Sequence, residues 1–339
     1  MNGSKQQSIT PLIEVRDLCM SFPRHRQLAI DRVSFNIHPG RTMGLVGSSG
    51  AGKSSIARVI MHLVKPRSGD VRFKGKSIFE MDARQLKKYR QSIQMVFQDP
   101  SASLSPKRTI EASLLEPLVH FKIGNRSEQQ AKIRRTLNTV GLHEDVLTRY
   151  PHQFSSGQQQ RIAIARALVT GPELLIADEA VSSLDVSIQA QILELLQILK
   201  TDLGITLLFI SHDLAVVNQL ADELAVMYRG QLLEQCPYEQ FFKRPAHPYS
   251  QALLSFAGPN ALKADSIDDW RLQSGREASN TASPCIFADH CPKQMTICHQ
   301  LEPGVFQVQY ENQDTLSAHC VKCHLYDEAQ TDETNKTSA

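Results

Sequence analysis

The sequence predicts an α/β fold built on a mainly parallel, doubly wound sheet. Four short apolar runs have the length and composition of buried strands, and they lie at residues 42–46, 93–97, 174–177 and 205–210. Segments with helical periodicity separate these runs, and strands that alternate with helices are typical of parallel sheets. A glycine-rich turn follows the first run and opens a helix, as expected at the ligand-binding edge of such a sheet.

An antiparallel β subdomain is expected beside this sheet. Residues 11–37 alternate apolar and polar side chains, which predicts two strands around a turn at Pro23–Gln27. A second strand pair is expected to flank Lys74-Gly75.

The glycine-rich turn reads Gly47-Ser48-Ser49-Gly50-Ala51-Gly52-Lys53-Ser54, which is the pattern of a phosphate-binding loop. Its glycines let backbone N–H groups curl toward phosphate oxygens, and the following helix adds its positive N-terminal end. That helix is expected from Ser55 to Val64, before Pro66. Lys53 can reach the β- and γ-phosphates, and the Ser54 hydroxyl can ligate Mg²⁺. We therefore expect this loop, together with Ser55, to bind a nucleotide.

Polar side chains close three of the predicted strands. Asp178 and Glu179 end one strand, His212 follows another and Gln98 a third. Ligands of parallel sheets bind outside the carboxyl ends of the strands. We therefore expect Asp178 to hold the Mg²⁺ shell, Glu179 to polarise an attacking water and His212 to bind the γ-phosphate. Gln98 is a weaker candidate for Mg²⁺ or the water, because solvated polar strand ends are common.

Residues 99–165 contain no strand-like run, which predicts an inserted helical subdomain. Near its end, Ser155-Ser156-Gly157-Gln158 precedes a helix through Ile162–Val169. Ser155 is a candidate N-cap, and Gly157 allows the backbone to approach an anion closely. On these residues alone, an anion contact and a simple capped helix are equal alternatives. A third helix is expected over Val186–Lys200, with its apolar face at 188, 192, 195, 196 and 199.

Composition excludes some classes of function. The chain has 339 residues, 41% of them hydrophobic, and a formal net charge of +2, which argues against a nucleic-acid-binding surface. The N-terminal residues lack the apolar core of a secretion signal, and no run of 18 apolar residues occurs. If the protein serves a membrane, we expect it to do so as a peripheral subunit from the cytosol.

Composition changes near residue 257. We expect a nucleotide-binding domain, a Gly/Pro/Ser-rich linker, a Cys-rich extension and a disordered tail at residues 11–257, 258–284, 285–326 and 327–339. Five of the seven cysteines fall in the extension, at Cys285, Cys291, Cys298, Cys320 and Cys323. In a cytosolic chain such a group indicates metal or redox chemistry rather than disulfides. Four thiolates suit Zn²⁺ or an iron–sulfur centre, and the loose spacing favours the latter, with unrelated thiols as the alternative.

Together these residues resemble the ATP-binding cassette of ABC transporters over residues 11–255, in that family's order. Gln98 resembles the Q-loop, 154–158 the signature motif, 174–179 the Walker B strand, 182–185 the D-loop with Asp185, and His212 the switch histidine. The resemblance implies that Ser54, Gln98 and Asp178 hold Mg²⁺. It also implies that Ser155, Ser156, Gly157 and Gln158 serve the nucleotide of a partner cassette. Phe22 resembles the aromatic residue that stacks on adenine, although an ordinary core Phe is nearly as plausible.

Two residues depart from the family pattern. Ser156 stands where the signature motif has Gly, which puts the partner's site in doubt, and Ala180 replaces a proline after the Walker B glutamate. Segments 97–106 and 247–254 resemble those of the ATPases in di- and oligopeptide importers, a group that includes importers of nickel complexes. In this group four cysteines are associated with a [4Fe–4S] cluster. The resemblance implies Cys285, Cys291, Cys298 and Cys323, with Cys320 as the alternative fourth ligand and Zn²⁺ as the alternative metal.

The resemblance further implies a bacterial ATPase subunit on the cytoplasmic face of the inner membrane. Its expected partners are a second cassette, in a sister chain, and transmembrane permease subunits, with an indirect role for an extracytoplasmic substrate-binding protein. The alternative from another class is a soluble ABC ATPase acting on nucleic acid or ribosomes. Such proteins usually carry two cassettes or a basic surface, which this chain lacks. A metal-sensing regulator does not account for the ATPase residues.

Overall fold

The computed structural model describes residues 10–22, 28–100, 103–182, 184–257, 283–308 and 318–327. Its strands are β1 (Ile13–Ser21), β2 (Leu28–Ile37), β3 (Thr42–Gly47), β4 (Ser68–Phe73), β5 (Lys76–Ser77), β6 (Ile93–Val96), β7 (Leu174–Asp178), β8 (Thr206–Ser211), β9 (Glu223–Tyr228), β10 (Gln231–Pro237), β11 (Val305–Val308) and β12 (His319–Lys322). Its helices are α1 (Lys53–Ile60), α2 (Ala83–Ser92), α3 (Ile110–Phe121), α4 (Arg126–Thr139), α5 (Ser156–Leu168), α6 (Val186–Leu203), α7 (Leu214–Val217), α8 (Tyr238–Lys243) and α9 (Pro248–Ala257).

The main sheet has eight strands in the order β11-β12-β10-β9-β3-β8-β7-β6. The neighbouring strands from β9 to β6 pair in parallel, and β10, β12 and β11 continue the sheet antiparallel. This confirms the predicted mainly parallel sheet. Because the parallel strands run in the same direction, β3, β6, β7 and β8 all end at one edge of the sheet.

A second sheet forms the antiparallel β subdomain, in the order β2-β1-β4-β5. Strand β1 pairs with β2 and with β4, and β4 pairs with β5 around Lys74-Gly75, as predicted. The turn predicted at Pro23–Gln27 lies outside the described residues.

Helices dominate the segment between the sixth and seventh strands. Among the described residues from 99 to 165 there are α3, α4 and most of α5 and no strand, as the sequence predicts. The Thr109 hydroxyl caps α3, and a reciprocal capping box of Asn125 and Glu128 opens α4. Their apolar faces pack with α5 and α6 on one face of the main sheet.

Two predicted helix ends are corrected. Helix α1 ends at Ile60 instead of Val64, because the Tyr89 hydroxyl takes the carbonyl of Ile60 as its acceptor and His62 has a positive φ of 52°. Helix α6 continues three residues beyond Lys200, to Leu203, and the C-cap residue Gly204 closes the last turn with a φ of 63°.

The main sheet is buried on both faces. Val46 of β3 belongs to the core beneath the helical segment, whereas Met43 and Leu45 belong to the core shared with the β subdomain. All six residues of β3 are buried. A strand covered on both sides holds the turn that follows it in a fixed position, which is what a binding loop requires.

The described part of the Cys-rich extension continues the main sheet. Strand β12 pairs with β10, with Cys320 opposite Gln235, and β11 pairs with β12. His319 of β12 is fully buried, and its Nε2 lies 2.8 Å from the Glu234 carboxylate of β10. Of the predicted linker and tail, residues 258–282 and 328–339 lie outside the described residues.

Candidate functional site

The glycine-rich turn forms a tight loop at the end of β3. Gly47, Gly50 and Gly52 have φ values of 149°, 78° and 100°, which L side chains rarely adopt. A Cβ atom at Gly47 would collide with the Met227 carbonyl oxygen, and one at Gly52 with that of Ala29. Close backbone packing and dihedral angle therefore both explain Gly47 and Gly52, whereas Gly50 is explained by its dihedral angle alone.

Lys53 lies inside this loop and is 5% exposed. Its Nζ donates hydrogen bonds to the carbonyl oxygens of Gly47 at 2.7 Å and Ser48 at 2.9 Å. Burial lowers the pKa of Lys53, while the nearby carboxylates of Glu179 and Asp178 act in the opposite direction. The ammonium group is thus held at the centre of the loop, where it can donate hydrogen bonds to a bound phosphate.

The structure joins the loop to the end of β7. The Ser54 hydroxyl donates to Asp178 Oδ1 at 3.0 Å. Burial raises the pKa of Asp178, the Ser54 hydrogen bond lowers it and the Glu179 charge raises it. A hydroxyl and a carboxylate in contact are hard oxygen ligands of the type that Mg²⁺ prefers, so these two residues fit the predicted magnesium site.

Glu179 lies beside His212, as sequence reasoning expects for two strand ends at the same edge. His212 Nδ1 is 3.3 Å from Glu179 Oε1. Glu179 has a φ of 49°, and its N–H donates to the Ile210 carbonyl at 3.0 Å. A positive φ is uncommon for a residue other than glycine, and the hydrogen bond to Ile210 helps to hold Glu179 in this conformation. The pair can orient a water molecule in front of the loop.

Gln98 reaches this group through Ser182. Gln98 Nε2 donates to Ser182 Oγ at 3.3 Å, and Ser182 Oγ donates to the Glu179 carbonyl at 3.0 Å. The sequence placed Ser182 in the segment that resembles the D-loop but did not predict these two contacts. The structure therefore brings the ends of β6, β7 and β8 together at the phosphate loop.

The signature-like residues open helix α5. Ser155 accepts a hydrogen bond from the Gln158 N–H at 3.4 Å, and Gln158 Oε1 accepts one from the Ser155 N–H at 3.2 Å, which confirms the predicted cap. Gly157 is buried, and a Cβ there would lie 2.5 Å from the Ile188 side chain of α6. Ser155, Ser156, Gln158 and Asp185 are exposed. These four residues are accessible to another chain, and their roles stay predictions.

Phe22 follows β1 and packs, partly buried, against the core shared with the β subdomain. This position agrees with the ordinary core role that the sequence left open. Stacking on adenine stays a prediction.

Four of the five extension cysteines converge. Burial raises the pKa of the Cys323 thiol to about 12, and the thiols of Cys291, Cys285 and Cys298 lie close enough to raise it as well. The Cys285 N–H also donates to the Cys298 carbonyl at 3.1 Å. All five are free thiols.

Cys320 faces elsewhere, because its neighbour is Cys236. Four thiolates are the donor set of a tetrahedral metal site or of an iron–sulfur cluster. Cys323 is the cysteine that lies near Cys285, Cys291 and Cys298. Metal binding and the choice of the fourth ligand stay predictions.

A second buried group contains Glu234, Cys236 and His319, whose ligand atoms lie within 4.8 Å of one another. Glu234 already accepts hydrogen bonds from the N–H groups of Ala246 and His247, at 2.9 and 2.7 Å. Because its carboxylate oxygens are occupied, we interpret this group as a structural connection between β10, β12 and α9 and not as a metal site.

Comparison with known proteins agrees with this geometry. Residues 30–182 match the family described as ABC transporter, and residues 233–298 match the C-terminal region of oligopeptide/dipeptide transporters. The chain is 41% identical to the oligopeptide transport ATP-binding protein AppF of Bacillus subtilis, over 96% of this chain and all of that protein. It is 43% identical to a putative peptide import ATP-binding protein of Brucella ovis, over 88% of this chain and 95% of that protein.

Two solved structures are also similar. CbiO1 of Clostridium perfringens, part of an ABC transporter complex, is 28% identical with a TM-score of 0.63 over 69% of this chain and 92% of that one. The cassette MJ0796, solved as a dimer with ADP and phosphate, is 28% identical with a TM-score of 0.60 over 67% of this chain and 98% of that one. The fold and site define an ABC ATPase with a phosphate-binding loop. The chain belongs to the family of ATP-binding proteins of ABC peptide transporters.

Proposed function

We propose that this chain is the subunit that hydrolyses ATP to drive an ABC importer of oligopeptides. The observation that carries the proposal is the meeting of Lys53, Asp178 and Glu179 at one edge of the parallel sheet. The similarity to peptide-importer ATP-binding proteins, which extends into the C-terminal region, supports the cargo class.

ATP is the substrate of the proposed site. The loop N–H groups and Lys53 bind the β- and γ-phosphates, and Ser54, Asp178 and Gln98 hold Mg²⁺. When bound, the ion would reduce the negative charge of the phosphates. Phe22 stacks on the adenine ring. Ser55 adds a contact at the start of α1, where the helix dipole favours an anion.

Glu179 orients the attacking water and accepts its proton. His212, beside Glu179, donates a hydrogen bond to the γ-phosphate, and Gln98 positions the water through its contact with Ser182. This arrangement explains why the three strand ends have to meet: each group must lie within hydrogen-bond distance of the same phosphate.

A second cassette completes the site in our proposal. The exposed residues Ser155, Ser156, Gln158 and Asp185 face the partner's nucleotide, and the partner's equivalents face this one. Hydrolysis removes the charge that connects the two chains, so the pair opens. The segment after Gln98 transmits this movement to permease subunits at the cytoplasmic side of the membrane. No helix in the described ranges is long and apolar enough to cross a bilayer, which supports a peripheral position.

The proposed domains are a nucleotide-binding domain at residues 11–257, with a helical subdomain at about 99–165, and a Cys-rich extension at residues 285–326. The extension binds a [4Fe–4S] cluster or Zn²⁺ through Cys285, Cys291, Cys298 and Cys323.

Purification of the tagged chain from detergent-solubilised membranes tests the transport role. Mass spectrometry of the purified complex is expected to identify polytopic permease subunits and a second cassette. Recovery with nucleic acid or ribosomal proteins, and without permease subunits, would contradict the proposal.

A further inference from the structure

Tyr249 of α9 contacts the phosphate loop. The Ser48 N–H donates a hydrogen bond to the Tyr249 hydroxyl oxygen at 3.1 Å, although 201 residues separate the two in the sequence. Tyr249 is fully buried. Its hydroxyl is therefore shielded from water and available to hold this N–H.

Ser48 is held at both its N–H and its carbonyl group. Its carbonyl accepts from Lys53 at 2.9 Å, while its N–H donates to Tyr249. A second external contact lies further along the loop, where the Gly230 N–H donates to the Ala51 carbonyl at 3.0 Å. The curl of a phosphate loop decides where its N–H groups point, so contacts that fix the curl also fix phosphate affinity.

Aromatic rings fix Tyr249 in turn. Its ring centroid lies 4.8 Å from that of Tyr228 and 5.5 Å from that of Phe287. Phe287 also meets Tyr228 edge-on at 5.6 Å and is 1% exposed. Phe287 comes from the Cys-rich extension, between Cys285 and Cys291.

The backbone around Phe287 is tied to the cysteines. The Ala288 N–H donates to the Cys285 carbonyl, the Cys291 N–H to that of Ala288, and the Cys285 N–H to that of Cys298, each at 3.1 Å. A change in the spacing of the cysteines must therefore move Phe287. Phe287 and Tyr249 are packed in a closed core, so the movement reaches the loop.

We propose that Tyr249 is a positioning residue for the phosphate loop and that Phe287 links its position to the four-cysteine segment. Occupancy of the cysteines by metal then strengthens nucleotide binding, and nucleotide strengthens metal binding by the same factor. The first part, the positioning role of Tyr249, requires only that the loop binds nucleotide. The second part, the link through Phe287, rests on the proposed metal site.

The first test is Tyr249→Phe, which removes the hydroxyl and keeps the ring. ATP affinity, measured by calorimetry on the full chain, is expected to fall about five-fold, the size of one lost neutral hydrogen bond. AMP affinity should change less than two-fold, because AMP lacks the phosphates that the loop binds.

Tyr326→Phe is the matched control. The Tyr326 hydroxyl donates to the Ala246 carbonyl at 3.2 Å, so this variant also loses one hydrogen bond of the same region but none to the loop. Its ATP affinity is expected to equal that of the wild type. If both variants lose affinity equally, or if Tyr249→Phe loses none, the positioning role is wrong. If the wild type itself does not bind ATP, the proposed function fails instead.

The link to the extension is tested by a double-mutant cycle. Phe287→Leu should weaken ATP binding, and adding it to Tyr249→Phe should weaken binding less than the product of the two single effects. Phe306→Leu, on β11 of the same extension, is the control and should have no effect. Independent effects of the two substitutions would overturn the link.

Metal retention gives a second readout. The protein is dialysed against o-phenanthroline with and without MgATP, and its iron and zinc contents are measured. MgATP should slow metal loss in the wild type and not in Tyr249→Phe. Equal rates of metal loss with and without MgATP in the wild type, or a chain that carries no metal, would overturn the link through Phe287. The positioning role of Tyr249 would remain.

Discussion

At the scale of single residues, Glu179 carries the chemistry that we propose. Its backbone is held in an uncommon conformation, and its side chain meets His212 at 3.3 Å. Such a placement makes sense for a group that must act on a water molecule, because a flexible carboxylate would spend little time in the reactive position.

Glu179→Gln keeps the shape of the side chain and removes the base. We expect ATP turnover by the assembled transporter to fall about 10²- to 10⁴-fold, with ATP affinity within about two-fold of the wild type. Glu173→Gln is the control, since Glu173 precedes the same strand at its other end and pairs with Lys74 on the surface. Lost ATP affinity with unchanged turnover would contradict the assigned role.

The phosphate loop and its acidic partners could be predicted from the sequence, because a fixed spacing and strand ends of one parallel sheet determine them. The contacts of Ser182 and Tyr249 could not. Tyr249 is remote in sequence from the loop, and no local sequence pattern predicts that a hydroxyl will accept a hydrogen bond from a backbone N–H. The contact between Ile188 and residue 157, which explains why residue 157 is a glycine, could not be predicted either.

At the scale of elements, α9 and β10 are joined by a buried polar network. His247 is buried, and its Nδ1 accepts the Tyr249 N–H at 2.9 Å. Burial lowers the pKa of His247 to about 4, against the weaker opposing effect of the Glu234 charge. In the unfolded chain this histidine has its ordinary pKa of about 6.5.

The lowered pKa of His247 makes the stability of the folded chain depend on pH. Below pH 6.5 the unfolded chain binds a proton that the folded chain does not, so stability falls as pH decreases toward 4. Between pH 6.5 and 5 we expect the wild type to lose about 2 kcal/mol of unfolding free energy that His247→Asn does not lose. Denaturant titration at both pH values measures this difference. Equal losses in the two proteins would show that His247 titrates normally.

The cysteine set gives a prediction for the extension. Cys323→Ser should abolish bound metal, whereas Cys320→Ser should retain it. Cys323 lies near the other three proposed ligands, whereas Cys320 lies next to Cys236. Metal analysis and the visible spectrum of anaerobically purified protein give the readout, with a brown chromophore expected for an iron–sulfur cluster. Loss of metal in Cys320→Ser alone would reverse the assignment of the fourth ligand.

The ends of the elements were predicted less well than their existence. Helix α1 is shorter than its apolar pattern because a tertiary hydrogen bond from Tyr89 captures its last carbonyl. Strands β9 to β12 were not recognised. β9 pairs with β10 and β11 with β12 as neighbours in the chain, whereas β10 and β12 form a pairing between distant segments. The continuation of the main sheet into the extension, through β10 and β12, depends on such a pairing.

At the scale of the whole molecule, the carboxyl ends of the parallel strands hold the proposed nucleotide site, and the extension continues the same sheet beyond β10. The ion pair of Glu302 with Arg32 of β2, at 2.5 Å, attaches this extension to the β subdomain as well. The signature-like residues are exposed, as the proposed contact with a second cassette requires.

Crystals grown with Mg²⁺ and a nonhydrolysable ATP analogue test the central claim most directly. We predict triphosphate density within the loop, with the terminal phosphate beside Lys53 and the ion beside Ser54 and Asp178. An empty loop under saturating analogue, or density at another site, would contradict the account.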